Sequence, residues 1–526
     1  MMYYVALQRR MRSRNFCDHF LLVALLVLLT STQFGEPFKP RFDFRAGPRL
    51  LLVQKKMGPA SFGNQGNSPP VGDSLSSLAD KVIEFKLHDS LDSIGAEAWN
   101  LFLGPSSSPF MEYSWLQCLE KSGCASPETG WAAQHVSVQM NGKAIAYVPL
   151  YVKGHSMGEF IFDNSWAEAA YRSGIKYYPK LLVGVPFTPV TGTRMLIDPR
   201  ILANSTPETI TELRRLIGKF LCQIATVNRI SSVHLNFLTD EEASSLTQEL
   251  KSGEAIGSTA NARNTDQHQN TAGYASEFMR RTSVQYHWIN QNLNNHSEPF
   301  QSFDDYLNCF KSKRRITIRR ERRRVLEDEQ IVIDAIVGTD ILKYDGLVER
   351  MFAIYRSTVD KMYYGRQYLT LDFFQKLSKS DFCKHLCFIC ARDASTCSDA
   401  FKADDVFAGT FNIVKDGVFY GRYWGVLHGR EINSLHFEVC YWSAIEYCIK
   451  NGLARMEPGA GGGDYKWARG FDPALIHSVH YISHPGLRSA VRQFLELEME
   501  SNVDSTEYLL ERSVTGPKNM KKNSNE

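Results

Sequence analysis

The stretch 418–471 concentrates the side chains of this sequence that could do chemistry. In order it carries Tyr420, Arg422 and Trp424, then His436 and Glu438, then Glu457, Asp464, Lys466 and Arg469. Glu457, Glu438, His436 and Lys466 are the candidate catalytic residues, because carboxyl, imidazole and amine groups can exchange protons with a reacting substrate. An arginine set between aromatics can hold an anionic donor or substrate, and the same three residues also fit plain packing of a large-residue sheet. Lys466 can bind a phosphate or carboxylate, or stand as a solvated surface lysine. His436 and Glu438 fall at a helix start, where the dipole and free N–H groups meet a pocket, and Glu438 alternatively only caps that helix.

The elements that must position these groups are legible around them. Val418–Val426 is rich in aromatic and β-branched residues and predicts a strand. Period-two alternation then puts Tyr420, Arg422 and Trp424 on one face, opposite Phe419, Tyr423 and the two glycines. Phe437, Tyr441, Ala444, Ile445 and Cys448 recur at helical spacing, and Asn451-Gly452 stops that helix. Arg455–Glu457 opens a short second strand that runs into glycines. Strand, helix and strand make a βαβ unit, and ligands of such units bind beyond the carboxyl ends of the strands.

At 526 residues the chain is too long for one ordinary core. Hydrophobic content of 43% and charged content of 22% are those of a soluble globular protein. A net charge of +3 leaves any nucleic-acid affinity to a local patch. Among eleven cysteines, only Cys383, Cys387, Cys390 and Cys397 cluster, at spacings that fit no zinc knuckle. We therefore expect no metal, and thiols in a reducing compartment.

Residues 1–60 read as an address. Four arginines precede the apolar run from Phe20 to Leu29, which at ten residues is short of a membrane span. Its length fits a cleaved secretory signal, while the basic, acid-poor composition fits an organelle transit peptide. The mature chain is expected to have no stable membrane insertion. Residues 61–80 read as a linker, 241–280 as a flexible linker and 506–526 as a disordered tail. Between them lie two α/β (α+β) lobes, 81–240 and 281–505, that repeat one order of elements. In the first, a helix leads to a strand from His135, the turn Asn141-Gly142 and a returning strand. In the second, a helix over 371–377 leads to a strand from His385 and a partner strand over 406–414, then a further hairpin at Asp416-Gly417. Asn-Gly and Asp-Gly between alternating residues are strong hairpin signals.

These lobes, with the segments EYSWLQCLEKSGCASPETGW, SVQYHWIN, KSKRRITIRRERRRV, YYGRQYLTLDFF and the stretch 418–471, resemble the FemAB-like branch of the GNAT (acyl-CoA N-acyltransferase) superfamily, found in bacteria and plants. The resemblance covers about 80–500. It implies two tandem GNAT-like lobes, each a mixed, mostly antiparallel sheet flanked by helices. It also implies N-acyl transfer from a CoA ester or aminoacyl-tRNA to an amine, with no tightly bound cofactor, and a chloroplast destination. In such folds the central strands part to admit the acyl donor, and Glu457 stands where many of them carry a general base. DYKWARGF around Lys466 is similar to the Phe-Lys-x-x-Phe-Gly element of Fem-type aminoacyltransferases. One departure concerns the donor. Acetyl-CoA enzymes carry Gln/Arg-x-x-Gly-x-Gly/Ala, whose N–H groups cradle pyrophosphate, whereas Met456 stands first in the corresponding string here. That departure points toward aminoacyl-tRNA.

Two further regions complete the reading. Ser302 to Asp305 is a capping box that opens a long helix, with Phe303, Leu307 and Phe310 as its buried stripe. From Lys311 to Arg324 the helix holds nine Lys/Arg against Glu321 alone. Lys313, Arg314, Arg315, Arg319, Arg320 and Arg323 are candidate polyanion contacts, for tRNA in particular; a solvated helix face is the alternative. The long loop region 155–194 supplies candidate acceptor-site residues His155, Glu159, Asp163, Trp166, Tyr178, Lys180 and Arg194, or else a hydrogen-bonded structural loop. His287 is expected to face the same cleft. Two rivals to the transferase are a non-catalytic module that binds a peptide-sugar ligand and an RNA-associated protein.

Overall fold

Asn141-Gly142 and Asp416-Gly417 both adopt left-handed backbone, with φ of 51° and 74° and of 49° and 76°. That geometry closes two tight hairpins whose twist matches their strands. In this computed structural model the described residues are 81–105, 107–247, 278–292, 298–361, 367–395 and 400–514. The expected targeting segment, the 61–80 linker, most of the inter-lobe linker and the end of the tail lie outside them.

The first lobe contributes β1 (Ile83–His88), β2 (Trp131–Ala133), β3 (His135–Met140), β4 (Lys143–Val148), β5 (Leu150–Lys153), β6 (Lys180–Val183), β7 (Leu196–Ile197) and β8 (Ser232–Leu238). The second contributes β9 (Met279–Ile289), β10 (Ile331–Val337), β11 (Leu386–Asp393), β12 (Val406–Lys415), β13 (Val418–Val426), β14 (Arg455–Glu457) and β15 (Asp472–Ile482). A four-stranded sheet runs β1-β3-β4-β7, and an eleven-stranded sheet runs β10-β11-β12-β13-β14-β9-β15-β8-β6-β5-β2. The large sheet has one parallel pair in each lobe, β6–β8 and β13–β14. The fold is thus two tandem GNAT-like lobes of mixed, mostly antiparallel sheet.

The second lobe lends a strand to the first. β9 follows β8 in the chain but pairs with β14, and β15 follows β14 but pairs with β8. β9 and β15 also pair with each other over nine registered positions, Asp472↔His287 to His480↔Met279. One face of the sheet is covered by a core that draws on both lobes: Phe110 and Trp115 pack with Phe373, Phe382 and Tyr420. The helix Tyr113–Lys121 lies there against the helix Leu371–Ser378.

Several helices differ from the sequence expectation for physical reasons. The basic helix is two helices, Phe303–Asn308 and Ser312–Arg323, because the chain turns extended at Lys311. Ser302 caps the first by accepting from the Asp305 N–H, as expected. Leu307 and Phe310 are buried and Phe303 is half-buried, while Tyr306 is the most buried residue of that stripe. The region 155–194 is not one long loop. It holds the helix Asn164–Arg172, whose Trp166 and Ala170 are buried, and the strand β6. The helix over 435–450 is interrupted by a π turn, Glu438–Trp442. The last helix, Pro485–Leu510, extends past 506. No helix among the described residues is long and apolar enough to cross a membrane.

Close packing of β13 makes one stability prediction. A Cβ on Gly425 would lie 1.8 Å from the Ile354 carbonyl oxygen, which is backbone and cannot step aside. Gly425→Ala is expected to destabilise by about 1–3 kcal/mol, as overpacked cores do, read from urea unfolding midpoints.

Candidate active site

β13 and β14 run parallel for only three registered pairs, Val418↔Arg455, Phe419↔Met456 and Tyr420↔Glu457. Beyond Tyr420, β13 continues to Val426 while β14 ends and Pro458 leads away. The strands therefore part into a fork. Glycine lets the two backbones stay close at its apex: a Cβ on Gly421 would come within 3.2 Å of Pro458 Cα.

Glu457 stands at this apex and is 4% exposed. Its Oε1 accepts from Arg455 Nη2 at 2.8 Å. Its Oε2 is buried without a hydrogen-bond partner, and so is His287 Nε2, 3.8 Å away. Burial pushes the Glu457 carboxyl up to about 6, although Arg455 and Arg422 pull it down. Burial, with Arg455 and Lys466 nearby, lowers His287 to about 3 and keeps its ring neutral. Lys466 donates from Nζ to the Gly459 carbonyl at 2.6 Å, and burial brings its amine down to about 8. A carboxyl raised and an amine lowered toward neutrality at one fork are a matched acid and base.

A β-bulge changes which side chains share the fork. Opposite β12, Asn412 pairs with Gly421 and Phe411 with Tyr423, so Arg422 is the extra residue. Tyr420, Arg422 and Tyr423 consequently face one side. The Tyr420 ring lies 5.2 Å from Phe110, the Arg422 guanidinium 5.1 Å from the same ring, and Tyr423 4.9 Å from Tyr355. Trp424 turns to the other side, 5.3 Å from His436. The expected common face of Tyr420, Arg422 and Trp424 is therefore corrected: a bulge breaks the alternation.

His436 joins Trp424, Tyr441 and Tyr465 in an aromatic cluster, and burial lowers its imidazole to about 4. Glu438 lies in the π turn, buried, with Arg322 at 3.1 Å and the Ser443 hydroxyl at 2.8 Å on its carboxylate. Arg469 is buried with its guanidinium 3.5 Å over the Phe437 ring, and it donates to the Tyr465 carbonyl. Asp464 is exposed. Among the described residues, Glu457 is paired with Arg455 and His287 and with none of these four. On the basic helix, Arg314 donates to the Ala468 carbonyl, Arg315 to that of Phe310, and Arg319 pairs with Asp304. Lys313, Arg320 and Arg323 are exposed.

The first-lobe candidates do not join the fork. Glu159, Asp163 and Lys180 form a sealed ion cluster, with Lys180 Nζ 2.8 Å from Glu159 and 2.5 Å from Asp163. Burial opposes the Lys180 charge, but the two carboxylates outweigh it and raise its amine. Tyr178 closes on the Ser156 hydroxyl, and Trp166 packs edge-on to His480 at 5.0 Å. His155 knots its own loop, donating from Nε2 to the Thr129 carbonyl and accepting at Nδ1 from the Met157 N–H. Arg194 braces another, donating to the Val190 and Gly192 carbonyls.

A second buried imidazole site lies in the first-lobe part of the sheet. There β8 and β15 set His234 opposite His480, Nδ1 to Nδ1 at 2.7 Å, and the Ser232 and Ser478 hydroxyls close both outer nitrogens. The second lobe has an acid–imidazole pair with both inner atoms unpartnered. Sequence reading missed Arg455 and Phe110 at this site. Arg455 was within reach, two residues before Glu457 on one strand and so on its face. Phe110 arrives from the other lobe and has no local signal. Among the described residues, no group of three His, Cys, Asp or Glu side chains is placed to hold a metal ion.

A family model described as FemAB-like, peptidoglycan biosynthesis or recognition, matches residues 90–514. The chain belongs to the FemAB-like family. Among solved structures, this FemAB-like chain is similar to FemX, at 11% identity and a TM-score of 0.40 over 78% of this chain and 100% of that one. It is similar to L-PGS from Bacillus licheniformis, at 8% identity and 0.40 over 78% and 98%. It is also similar to a tandem GNAT protein from the clavulanic acid biosynthesis pathway, at 12% identity and 0.35 over 77% and 99%. No curated protein matches it.

Proposed function

We propose that this FemAB-like chain transfers an acyl or aminoacyl group to an amine at the β13–β14 fork. The observation that carries the reading is the buried Glu457 oxygen left without a partner where the strands part. An ammonium ion cannot attack an ester or thioester. Glu457, with a carboxyl near 6, takes the proton, and the free amine attacks the acyl carbon. The carbonyl oxygen gains negative charge, which the cationic Lys466 at the fork offsets. Collapse breaks the bond to the leaving oxygen or sulfur, which takes the proton held on Glu457, and the freed carboxylate then takes the second proton from the acylated nitrogen.

A tRNA-borne donor fits best. The glycine turn opens the five-residue helix Gly463–Trp467, too short to cradle a pyrophosphate, and Met456 is buried where an arginine or glutamine would reach one. The basic helix instead abuts this turn through Arg314 and Ala468. Its Lys313, Arg320 and Arg323 point to solvent, and Arg319 is tied only to an exposed Asp304. Changing Lys313, Arg319, Arg320 and Arg323 to Gln is expected to flatten the salt dependence of transfer from aminoacyl-tRNA, by about 0.7–0.9 in log–log slope per lost phosphate contact. Transfer assays with both donor classes at several salt concentrations read this. Turnover of a CoA ester at equal efficiency, or an unchanged slope, would reject the tRNA donor.

A further inference from the structure

Two cations, Arg422 and Arg455, act on the Glu457 carboxylate of the fork. Arg455 bonds Glu457 Oε1, and the charges of Arg455 and Arg422 both act on that carboxyl. Asp416, in the turn before β13, is drawn toward Lys415, 3.7 Å away. The site therefore holds more positive than negative charge.

Each guanidinium also keeps one buried donor unmet, although Arg422 bonds Tyr423 and Arg455 bonds Tyr420. Arg422 spends Nη2 on the Phe187 carbonyl of the first lobe, and its Nε is buried with no acceptor. Arg455 spends Nη2 on Glu457, and its Nε is likewise buried with no acceptor. With Glu457 Oε2 and His287 Nε2, four buried polar atoms around one carboxylate lack partners. A buried donor of a charged group is stable only when an acceptor meets it, and an anion meets it best. The aromatic wall of Tyr420 and Phe110 beside Arg422 keeps that side dry and strengthens such a bond.

We infer that the acceptor amine carries its own anion, a carboxylate or phosphate a few bonds from the nitrogen, which Arg422 and Arg455 hold while Glu457 meets the ammonium. This rests on the transfer reading above, and it adds the substrate class. A zwitterion complements all four unpartnered atoms, whereas a simple amine satisfies the carboxylate alone. Arg422 then links recognition to the first lobe, since the same guanidinium grips the Phe187 carbonyl.

The test is calorimetric titration of the full chain, without donor, using β-alanine, O-phosphoethanolamine and ethanolamine. The first two separate carboxylate from phosphate, and the third lacks the anion. At least one zwitterion is expected to bind about tenfold or more tighter than ethanolamine, the worth of one charge-assisted hydrogen bond. Arg422→Met and Arg455→Met are each expected to abolish that preference, read as the ratio of zwitterion to ethanolamine affinity in the same variant. Arg455 has a side chain 41% exposed, so its variant reports even where Arg422→Met does not fold. Equal binding of all three probes, no binding of any, or a preference that survives both variants overturns the assignment. Zwitterion binding that depends on the arginines, in a protein that transfers from no donor, supports this assignment and removes only the transfer reading.

Discussion

Glu457→Gln is expected to lower transfer by about 10²–10⁴-fold, the usual worth of a general base, and at the same time to make the protein more stable at neutral pH. Both effects come from one fact. The carboxyl is buried at the fork, and burial raises it from 4.5 to about 6 in the folded protein. Below pH 4.5 the group is protonated whether the chain is folded or not, and it carries no penalty. As pH rises through 6, the folded protein must ionise a buried acid that the unfolded chain ionises freely. At 1.36 kcal/mol for each pH unit between the two values, the penalty reaches about 2 kcal/mol and then stays constant. Glutamine never ionises. The variant's melting temperature should match the parent's at pH 4 and exceed it at pH 8, read by calorimetry. The groups that face Glu457 are Tyr420 and Arg422 from β13, Arg455 on its own strand and His287 from β9, and Lys466 lies on the turn that follows. Of these, Lys466 titrates near 8. The parent's transfer rate should therefore rise with pH through about 6 and fall through about 8. An unchanged rate in the Gln variant would end the role assigned to Glu457.

Lys180→Met should be the most damaging substitution away from the fork, costing about 3–5 kcal/mol, since removing one partner of a buried ion cluster strands the others. Glu159 and Asp163 would be left in the core with no cation at 2.8 and 2.5 Å. Burial works to raise the Asp163 carboxyl, and at present the Lys180 charge overrides it and holds the group low. Without Lys180 both carboxyls rise. The variant's deficit should then shrink as the solution is acidified and grow as pH increases, the reverse of ordinary acid denaturation. Denaturant unfolding at pH 5 and pH 8 checks this, and a deficit independent of pH would contradict the ion-cluster assignment. Changing all three residues together to apolar ones of similar size is expected to cost far less than Lys180→Met alone.

Local chemistry was the legible part of this sequence. Asn141-Gly142 and Asp416-Gly417 announced hairpins, and Asn451-Gly452 marked the helix end before β14, because a left-handed backbone needs those residues where it occurs. Glu457 was legible at the end of its strand because a glycine-rich turn follows it. What escaped was non-local. The bulge at Arg422 depends on how β12 lies against β13, so alternation wrongly grouped Trp424 with Tyr420. Lys180, Glu159 and Asp163 read as a polar loop, because sequence alone does not show two acids finding one lysine inside a core. The pairing of β9 with β14 joins residues that are far apart in the chain, and no periodicity records it.

The passage of β15 to β8 means that the first half of this chain does not own its whole sheet. A break between the lobes would leave a first fragment whose β8 has lost a neighbouring strand to the second, so the pieces would stay clasped instead of drifting apart. The second lobe could not have been trimmed or traded without unmaking the first.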